Sequence, residues 1–207
     1  MTTTEDLAFT HRFEPARHAA LPPLLLLHGT GGDENDLLPL GQAVAPGAAL
    51  LSPRGQVLEN GMPRFFRRMA EGVFDEDDLR RRAHELADFI AAARQQYRLP
   101  APVALGFSNG ANIAAALLLL RPEVLAGAVL LRAMPPLRQP PAVALDGMPV
   151  LMLSGVADPI IPSASSQLLA EQLRAGGATV TLKELPASHG LTQMDVALSK
   201  SWLAGLA

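Results

Sequence analysis

The chain has 207 residues, of which 49% are hydrophobic and 18% are charged, and its formal net charge is -3. This composition is typical of a globular domain with a large core, and it excludes an intrinsically disordered chain. The small negative charge gives no support for a nucleic-acid or anionic-membrane partner. The absence of cysteine excludes disulfides, thiolate metal sites and a cysteine nucleophile. The length predicts one domain over residues 1–207.

The start of the chain contains neither the basic segment nor the apolar stretch of a secretion signal. The apolar runs elsewhere are too short to span a bilayer. We therefore expect a cytoplasmic protein that does not insert into membranes.

Short apolar runs alternate with helical patterns along the chain. Predicted strands fall at 7–13, 24–27, 48–52, 103–107, 126–131, 150–153 and 179–185. Predicted helices follow at about 35–43, 77–97, 111–120, 163–175 and 191–203, the first capped by Asp33 or Asn35 and the second by Asp75 or Asp77. Segments 54–75 and 132–148 are predicted to be irregular. This alternation predicts an α/β fold whose mostly parallel sheet is covered by helices on both faces.

The pattern Gly-x-Ser-x-Gly occurs at Gly106, Ser108 and Gly110, between a predicted strand and a predicted helix. The two glycines allow the strand and the helix to approach closely at a sharp turn. Such a turn presents the serine hydroxyl at the N-terminus of the helix, where an anion is stabilised. The context therefore predicts that Ser108 is a nucleophile, although the pattern alone occurs often by chance.

A serine nucleophile requires a base and an acid, and His189 and Asp158 are the candidates. His189 follows a late strand on the loop before the last helix, whereas the four other histidines occupy less suitable positions. Asp158 follows the strand at 150–153, on the side of the sheet where active sites form. Asp146 precedes that strand, so we expect it to lie at the opposite end of the sheet.

The oxyanion of an acyl-transfer reaction requires two N–H donors. We predict the backbone N–H groups of Asn109, which follows the nucleophile, and of Thr30, in a glycine-rich loop after an early strand. Asp33, Glu34 and Asp36 follow this loop, but helix capping explains them better than a metal site does. The sequence therefore indicates neither a metal nor a cofactor.

The substrate pocket is the least determined feature. Phe65, Phe66, Phe74 and Met134 are candidate lining residues, although phenylalanines more often belong to the core. Four arginines in the same region, Arg54, Arg64, Arg67 and Arg68, either attract an acidic substrate or form a solvated face, and the sequence favours the solvated face.

Four motifs together resemble the phospholipase/carboxylesterase branch of the α/β-hydrolases, which includes the acyl-protein thioesterases. They are 27–34, 106–111, 155–162 and 188–190, and residues 64–68 and 74–79 are similar to small bacterial carboxylesterases of this branch. The resemblance implies an α/β-hydrolase fold and a small-molecule ester as substrate. No stretch after the fifth predicted strand is long enough to form a large cap domain. Because members are often dimers, the resemblance also implies a homodimer as a candidate assembly.

We therefore expect a serine carboxylesterase that acts on small esters. Thr30 and Asn109 stand where the thioesterases usually carry Leu and Gln, which disfavours the alternative of an acyl-protein thioesterase or lysophospholipase. A second alternative is a hydrolase-fold protein that binds a ligand without catalysis. Such a protein is expected to have lost part of the machinery, and no part is missing here.

Overall fold

The computed structural model describes residues 7–18 and 21–206, which form eleven strands and five α-helices. The strands are His11–Glu14 (β1), Leu24–Leu27 (β2), Leu50–Pro53 (β3), Val57–Glu59 (β4), Met62–Arg64 (β5), Arg68–Ala70 (β6), Val73–Phe74 (β7), Val103–Phe107 (β8), Gly127–Leu131 (β9), Pro149–Gly155 (β10) and Thr179–Leu185 (β11). The helices are Leu38–Val44 (α1), Glu76–Tyr97 (α2), Asn109–Leu120 (α3), Ser163–Ala175 (α4) and Gln193–Ala204 (α5).

Seven strands form the central sheet in the order β1-β3-β2-β8-β9-β10-β11. β1 runs antiparallel to β3 at one edge, and the other neighbours are parallel. The central strands are apolar at nearly every position because both of their faces are covered. β11, the opposite edge, alternates between exposed and more buried residues. The predicted mostly parallel sheet is confirmed.

Helices cover both faces of this sheet. Residues of α2, α3 and α4 pack with Leu25, Ala104 and Leu130 in one core cluster. Residues of α1 and α5 pack with the alternate positions, Leu26 and Leu105, in a second cluster. α3 is buried along almost its whole length, so it lies at the centre of the first cluster. This arrangement fixes the N-terminus of α3 at the carboxyl ends of the central strands.

The predicted start of the first helix and its predicted side-chain cap are wrong. Residues 33–36 form turns, and α1 begins only at Leu38 without a side-chain cap. The side chain of Asp33 accepts from the N–H of Asn35, so it closes a turn and does not cap the helix. The cap predicted at Asp75 is confirmed, because its side chain accepts from the N–H of Asp78.

The segment 54–75 contains two small hairpins, β4–β5 and β6–β7, where we predicted irregular chain. Asn60 and Gly61 join β4 to β5 with φ values of 52° and 80°. This Asn-Gly pair is the preferred loop of a two-residue hairpin. The sequence signal for this hairpin is therefore the Asn-Gly pair itself.

No large cap domain covers the sheet in the described part of the chain, as predicted. Of the helices in residues 7–18 and 21–206, none is both long enough and apolar enough to cross a membrane.

Candidate active site

Ser108 lies at the turn between β8 and α3 with φ 53° and ψ -113°. A positive φ at a non-glycine residue is strained, and the turn is held by close packing around it. A Cβ added at Gly106 would lie 2.5 Å from the carbonyl oxygen of Gly110, and one at Gly110 would overlap the carbonyl of Leu27. Both glycines are therefore required by the turn that presents the Ser108 hydroxyl.

The structure brings Ser108, His189 and Asp158 together. Nε2 of His189 lies 3.0 Å from Oγ of Ser108, and Nδ1 lies 2.8 Å from Oδ2 of Asp158. Oδ1 of Asp158 accepts from the N–H groups of Ile160 and Ile161 at 2.8 and 3.0 Å. Because the Asp158 carboxyl acts as an acceptor, Nδ1 of His189 carries the hydrogen and Nε2 is free to accept from the Ser108 hydroxyl.

Thr30 and Asn109 both line the cavity that contains Ser108 and His189. Among the described residues, no group accepts a hydrogen bond from the backbone N–H of Thr30 or Asn109. Asn109 begins α3, so its N–H is one of the unpaired donors at the helix N-terminus. Two N–H groups that have no acceptor and belong to residues lining the Ser108 cavity are candidate oxyanion donors.

His28 supports the loop that carries Thr30. Its side chain is buried, its Nδ1 donates to the carbonyl of Gly29 at 2.7 Å, and its Nε2 accepts from the N–H of Gly55 at 2.9 Å. Burial lowers the pKa of the His28 imidazole below its ordinary value. The ring is therefore neutral at pH 7, and it joins the loop that carries Thr30 to the segment before the first hairpin.

The cavity beside Ser108 has a volume of about 250 Å³. Phe74 and Met134 lie in its wall, together with Phe107, Ile160 and Ile161. Phe65 and Phe66 do not line it, so their prediction as pocket residues is corrected.

Both phenylalanines belong to the core. Phe65 packs against the His28 ring with centroids 4.7 Å apart, and Phe66 packs edge-on against Phe74. Asn109 anchors this segment, because its Oδ1 accepts from the N–H of Phe65 at 2.8 Å. Asn112 does the same for the loop at 132–148, accepting from the N–H of Met134 at 2.9 Å.

Arg132 was not predicted from the sequence. It follows β9 and is completely buried. Its guanidinium donates to both oxygens of Asp195 at 2.7 and 2.9 Å. It also donates to the carbonyls of Ser188 and Gly190, each at 3.0 Å. These two residues flank His189, so Arg132 fixes the loop that presents the imidazole.

The four arginines in the region of residues 54–68 have different environments. Arg54 pairs with Glu34, and Arg67 pairs with Asp75 near the surface. Arg64 is only 3% exposed and lines the cavity with Arg68, so the favoured interpretation of a solvated face is wrong for Arg64. Burial, followed by the neighbouring Arg68 charge, lowers the pKa of Arg64, although an arginine stays protonated.

In residues 7–18 and 21–206, no group of three His, Asp or Glu side chains is arranged to hold a metal ion. The carboxylate of Glu34, in the acidic run after the Thr30 loop, is engaged by Arg54 at 2.5 and 2.7 Å.

A serine at a strand–turn–helix elbow, above a mostly parallel sheet covered on both faces, defines the α/β-hydrolase class. A sequence profile described as "Phospholipase/Carboxylesterase" matches residues 11–205. The chain therefore belongs to the phospholipase/carboxylesterase family of hydrolases.

Individual relatives agree with this membership. The chain is 48% identical over 181 residues to MhqD of Bacillus subtilis, a protein named as a hydrolase, covering 86% of this chain and 90% of the relative. The crystal structure of a Bacillus cereus carboxylesterase matches with a TM-score of 0.95 and 45% identity, covering 98% of this chain and 96% of that one. YahD, solved with malic acid, matches with a TM-score of 0.90 and 29% identity over 96% of this chain and 100% of its own.

Proposed function

We propose that the chain is a serine carboxylesterase that hydrolyses small carboxylic esters through an acyl-enzyme on Ser108. The observation that carries this proposal is the continuous hydrogen-bonded series from Ser108 through His189 to Asp158, with distances of 3.0 and 2.8 Å. A hydroxyl is a weak nucleophile until a base takes its proton, and His189 is placed to do so.

In the first half of the reaction, Oγ of Ser108 attacks the ester carbonyl carbon while Nε2 of His189 takes the hydroxyl proton. The carbonyl oxygen becomes an oxyanion, which the N–H groups of Thr30 and Asn109 stabilise. The bond to the alcohol oxygen then breaks, and His189 gives its proton to the departing alcohol. Asp158 holds the imidazole in the required tautomer and stabilises its charged form.

In the second half, water attacks the acyl-enzyme and gives a proton to His189. The second tetrahedral intermediate collapses, and Ser108 regains its proton from His189. The net reaction consumes one ester and one water and releases one carboxylic acid and one alcohol. It needs no cofactor.

The size of the cavity supports small esters. Its volume of about 250 Å³ is below the range typical of pockets for drug-sized ligands. The malic acid in the YahD structure is also a small molecule, which is in keeping with this substrate size. Long-chain thioesters and lysophospholipids would need an apolar groove continuing beyond Phe74 and Met134.

The proposal is tested by comparing wild type with Ser108→Ala on 4-nitrophenyl acetate and butyrate. We expect hydrolysis by the wild type and its loss in the variant, with an unchanged thermal unfolding midpoint. Hydrolysis that persists in Ser108→Ala would contradict the proposal. A folded wild type that hydrolyses no short ester would favour a ligand-binding protein.

A further inference from the structure

Two arginines lie in the wall of the cavity that contains Ser108. Arg64 ends β5 with a side chain that is only 3% exposed, and Arg68 begins β6 with a side chain that is 30% exposed. Both share the cavity with His189 and Asn109. An enzyme for small neutral esters would need only apolar and uncharged groups here, so the two charges require an explanation.

Part of each guanidinium is already paired. Nη1 of Arg64 donates to Oγ1 of Thr30 at 2.6 Å and to Oε2 of Glu59 at 3.3 Å, and its Nε donates to the carbonyl of Phe66 at 3.2 Å. Nε of Arg68 donates to the other oxygen of Glu59 at 2.9 Å. One carboxylate is thus shared by two cations.

The other N–H donors of the two guanidinium groups have no partner in the part of the protein that the structure describes. In the described part of the chain, no group accepts from Nη2 of Arg64 or from Nη1 and Nη2 of Arg68. None of these guanidinium nitrogens is fully buried, whereas Nδ2 of Asn109 is buried and has no partner among those residues. A buried donor without an acceptor costs free energy, and a ligand that supplies acceptors removes this cost.

Two arginine charges lie in the cavity wall, and the nearby carboxylates differ in how far they offset them. Glu59 balances one of the two arginines, and Asp158 lies behind the His189 ring. Glu71, which also lines the cavity, is exposed and forms no salt bridge with a described residue. Its charge is therefore screened by water more strongly than that of the buried Arg64.

We propose that the preferred substrates are short esters that carry a carboxylate, which binds to Arg64 and Arg68 while the ester carbonyl lies at Ser108. A guanidinium matches a carboxylate through paired N–H groups, and such charge-assisted hydrogen bonds are stronger than neutral ones. The inference rests on the proposed esterase function and names its substrate class. The hydrolysis is unchanged: the products are an alcohol and an acid, one of which keeps the additional carboxylate.

The test uses two matched pairs of esters. Monomethyl succinate carries the charge on its acyl side, and methyl succinamate replaces the carboxylate with a neutral amide. Acetoxyacetate and acetoxyacetamide form the equivalent pair for the alcohol side. We expect the wild type to prefer the anionic member of at least one pair by about tenfold or more in kcat/KM. Equal rates within both pairs, or a preference for the amides, would overturn the inference.

Arg68 and Arg67 provide a variant and its control. Arg68→Gln should lower the ratio of kcat/KM for the anionic ester to that for its neutral partner by about three- to tenfold, because it removes the charge contact with the substrate and leaves Glu59 paired with Arg64 alone. Arg67→Gln should change neither value, since Arg67 is 59% exposed, pairs with Asp75 and does not line the cavity. An undiminished preference in Arg68→Gln would overturn the inference.

Glu71→Gln should act in the opposite direction and increase the preference for the anionic ester, because it removes a negative charge from the cavity. Succinate should inhibit turnover of the neutral ester competitively and more strongly than succinamide does. Inhibition of equal strength by the two would count against the site.

Failure of the two proposals gives different results. If the amide esters are hydrolysed in a Ser108-dependent manner but the anionic esters are not preferred, only the substrate class is wrong. If no ester is hydrolysed by the folded protein, the esterase proposal and this inference are both wrong.

Discussion

Arg132 and Asp195 form an ion pair that is closed to solvent, with side chains 0% and 1% exposed. Through this pair the residue after β9 is joined to α5, and the same guanidinium holds the carbonyls on both sides of His189. Asp195 also accepts from the N–H of Thr192 at 2.7 Å and so closes the capping box of α5. The position of the imidazole therefore depends on two residues that do not contact the reacting atoms.

Asp195→Asn should lower the free energy of unfolding by about 3–5 kcal/mol, because it leaves the buried Arg132 charge without its counter-ion. In the protein that remains folded, kcat should fall more than KM rises, since the His189 loop is displaced while the cavity is kept. Urea unfolding and steady-state kinetics measure the two effects.

Arg138→Gln is the matched control for this prediction. Arg138 is 82% exposed and lies 3.8 Å from Glu76, so its loss should cost less than about 1 kcal/mol. If Asp195→Asn unfolds with the same free energy as this control, the ion pair does not have the structural role given to it here.

The extent to which the sequence predicted this site depends on how local each signal is. Ser108 was predictable because its two glycines and the flanking strand and helix lie within a few residues of it. His189 and Asp158 followed from the rule that loops at the carboxyl ends of parallel strands meet. Arg132 and Asp195 are 63 residues apart, and no spacing in the sequence joins them.

The cavity wall was the least predictable part for a related reason. Whether Phe65 or Phe74 faces the cavity depends on the hairpins of residues 57–74, of which Asn60 and Gly61 indicate only the first turn. With the hairpins in place, Phe65 and Phe66 point into the core and Arg64 lies in the wall.

Asp158→Asn should reduce kcat by about four orders of magnitude, because an amide favours the wrong tautomer of His189. Asp146→Asn is the control: Asp146 precedes β10, has φ 42° and lies away from Ser108, and asparagine tolerates a positive φ. The comparison requires kcat for both variants on one short ester. A large loss in Asp146→Asn with little change in Asp158→Asn would show that the acid is misassigned.

We expect kcat/KM to depend on acyl length because the cavity beside Ser108 is small. Each buried methylene contributes about 0.8 kcal/mol, and one left in water contributes nothing. In a series of neutral 4-nitrophenyl esters from two to sixteen carbons, kcat/KM should rise over the first few carbons and then flatten or fall. A value that still rises beyond about ten carbons would reveal a long groove and favour the thioesterase or lysophospholipase alternative.

The stability of the protein should fall as the pH is lowered through the ordinary pKa of histidine, about 6.5. His28 is neutral in the fold because burial lowers its pKa, whereas in the unfolded chain it binds a proton below that pH. The unfolded state then binds more protons, so acidification from about pH 6.5 reduces the free energy of unfolding by up to about 1.4 kcal/mol per pH unit.

Urea unfolding between about pH 7.5 and pH 5.5 measures this slope. His28→Asn should be less stable at neutral pH but should show a smaller dependence on pH in this window. A slope that is the same in the variant and the wild type would mean that another group causes it.

The most direct test of the central claim is covalent labelling of Ser108 by a fluorophosphonate, followed by peptide mass spectrometry. We expect one adduct, on the peptide that contains Ser108, and no labelling in Ser108→Ala. Labelling should be strongly slowed in His189→Gln, because the Ser108 hydroxyl loses the base that takes its proton. An adduct on another residue, or labelling that survives in folded Ser108→Ala, would contradict the assignment of Ser108 as the nucleophile.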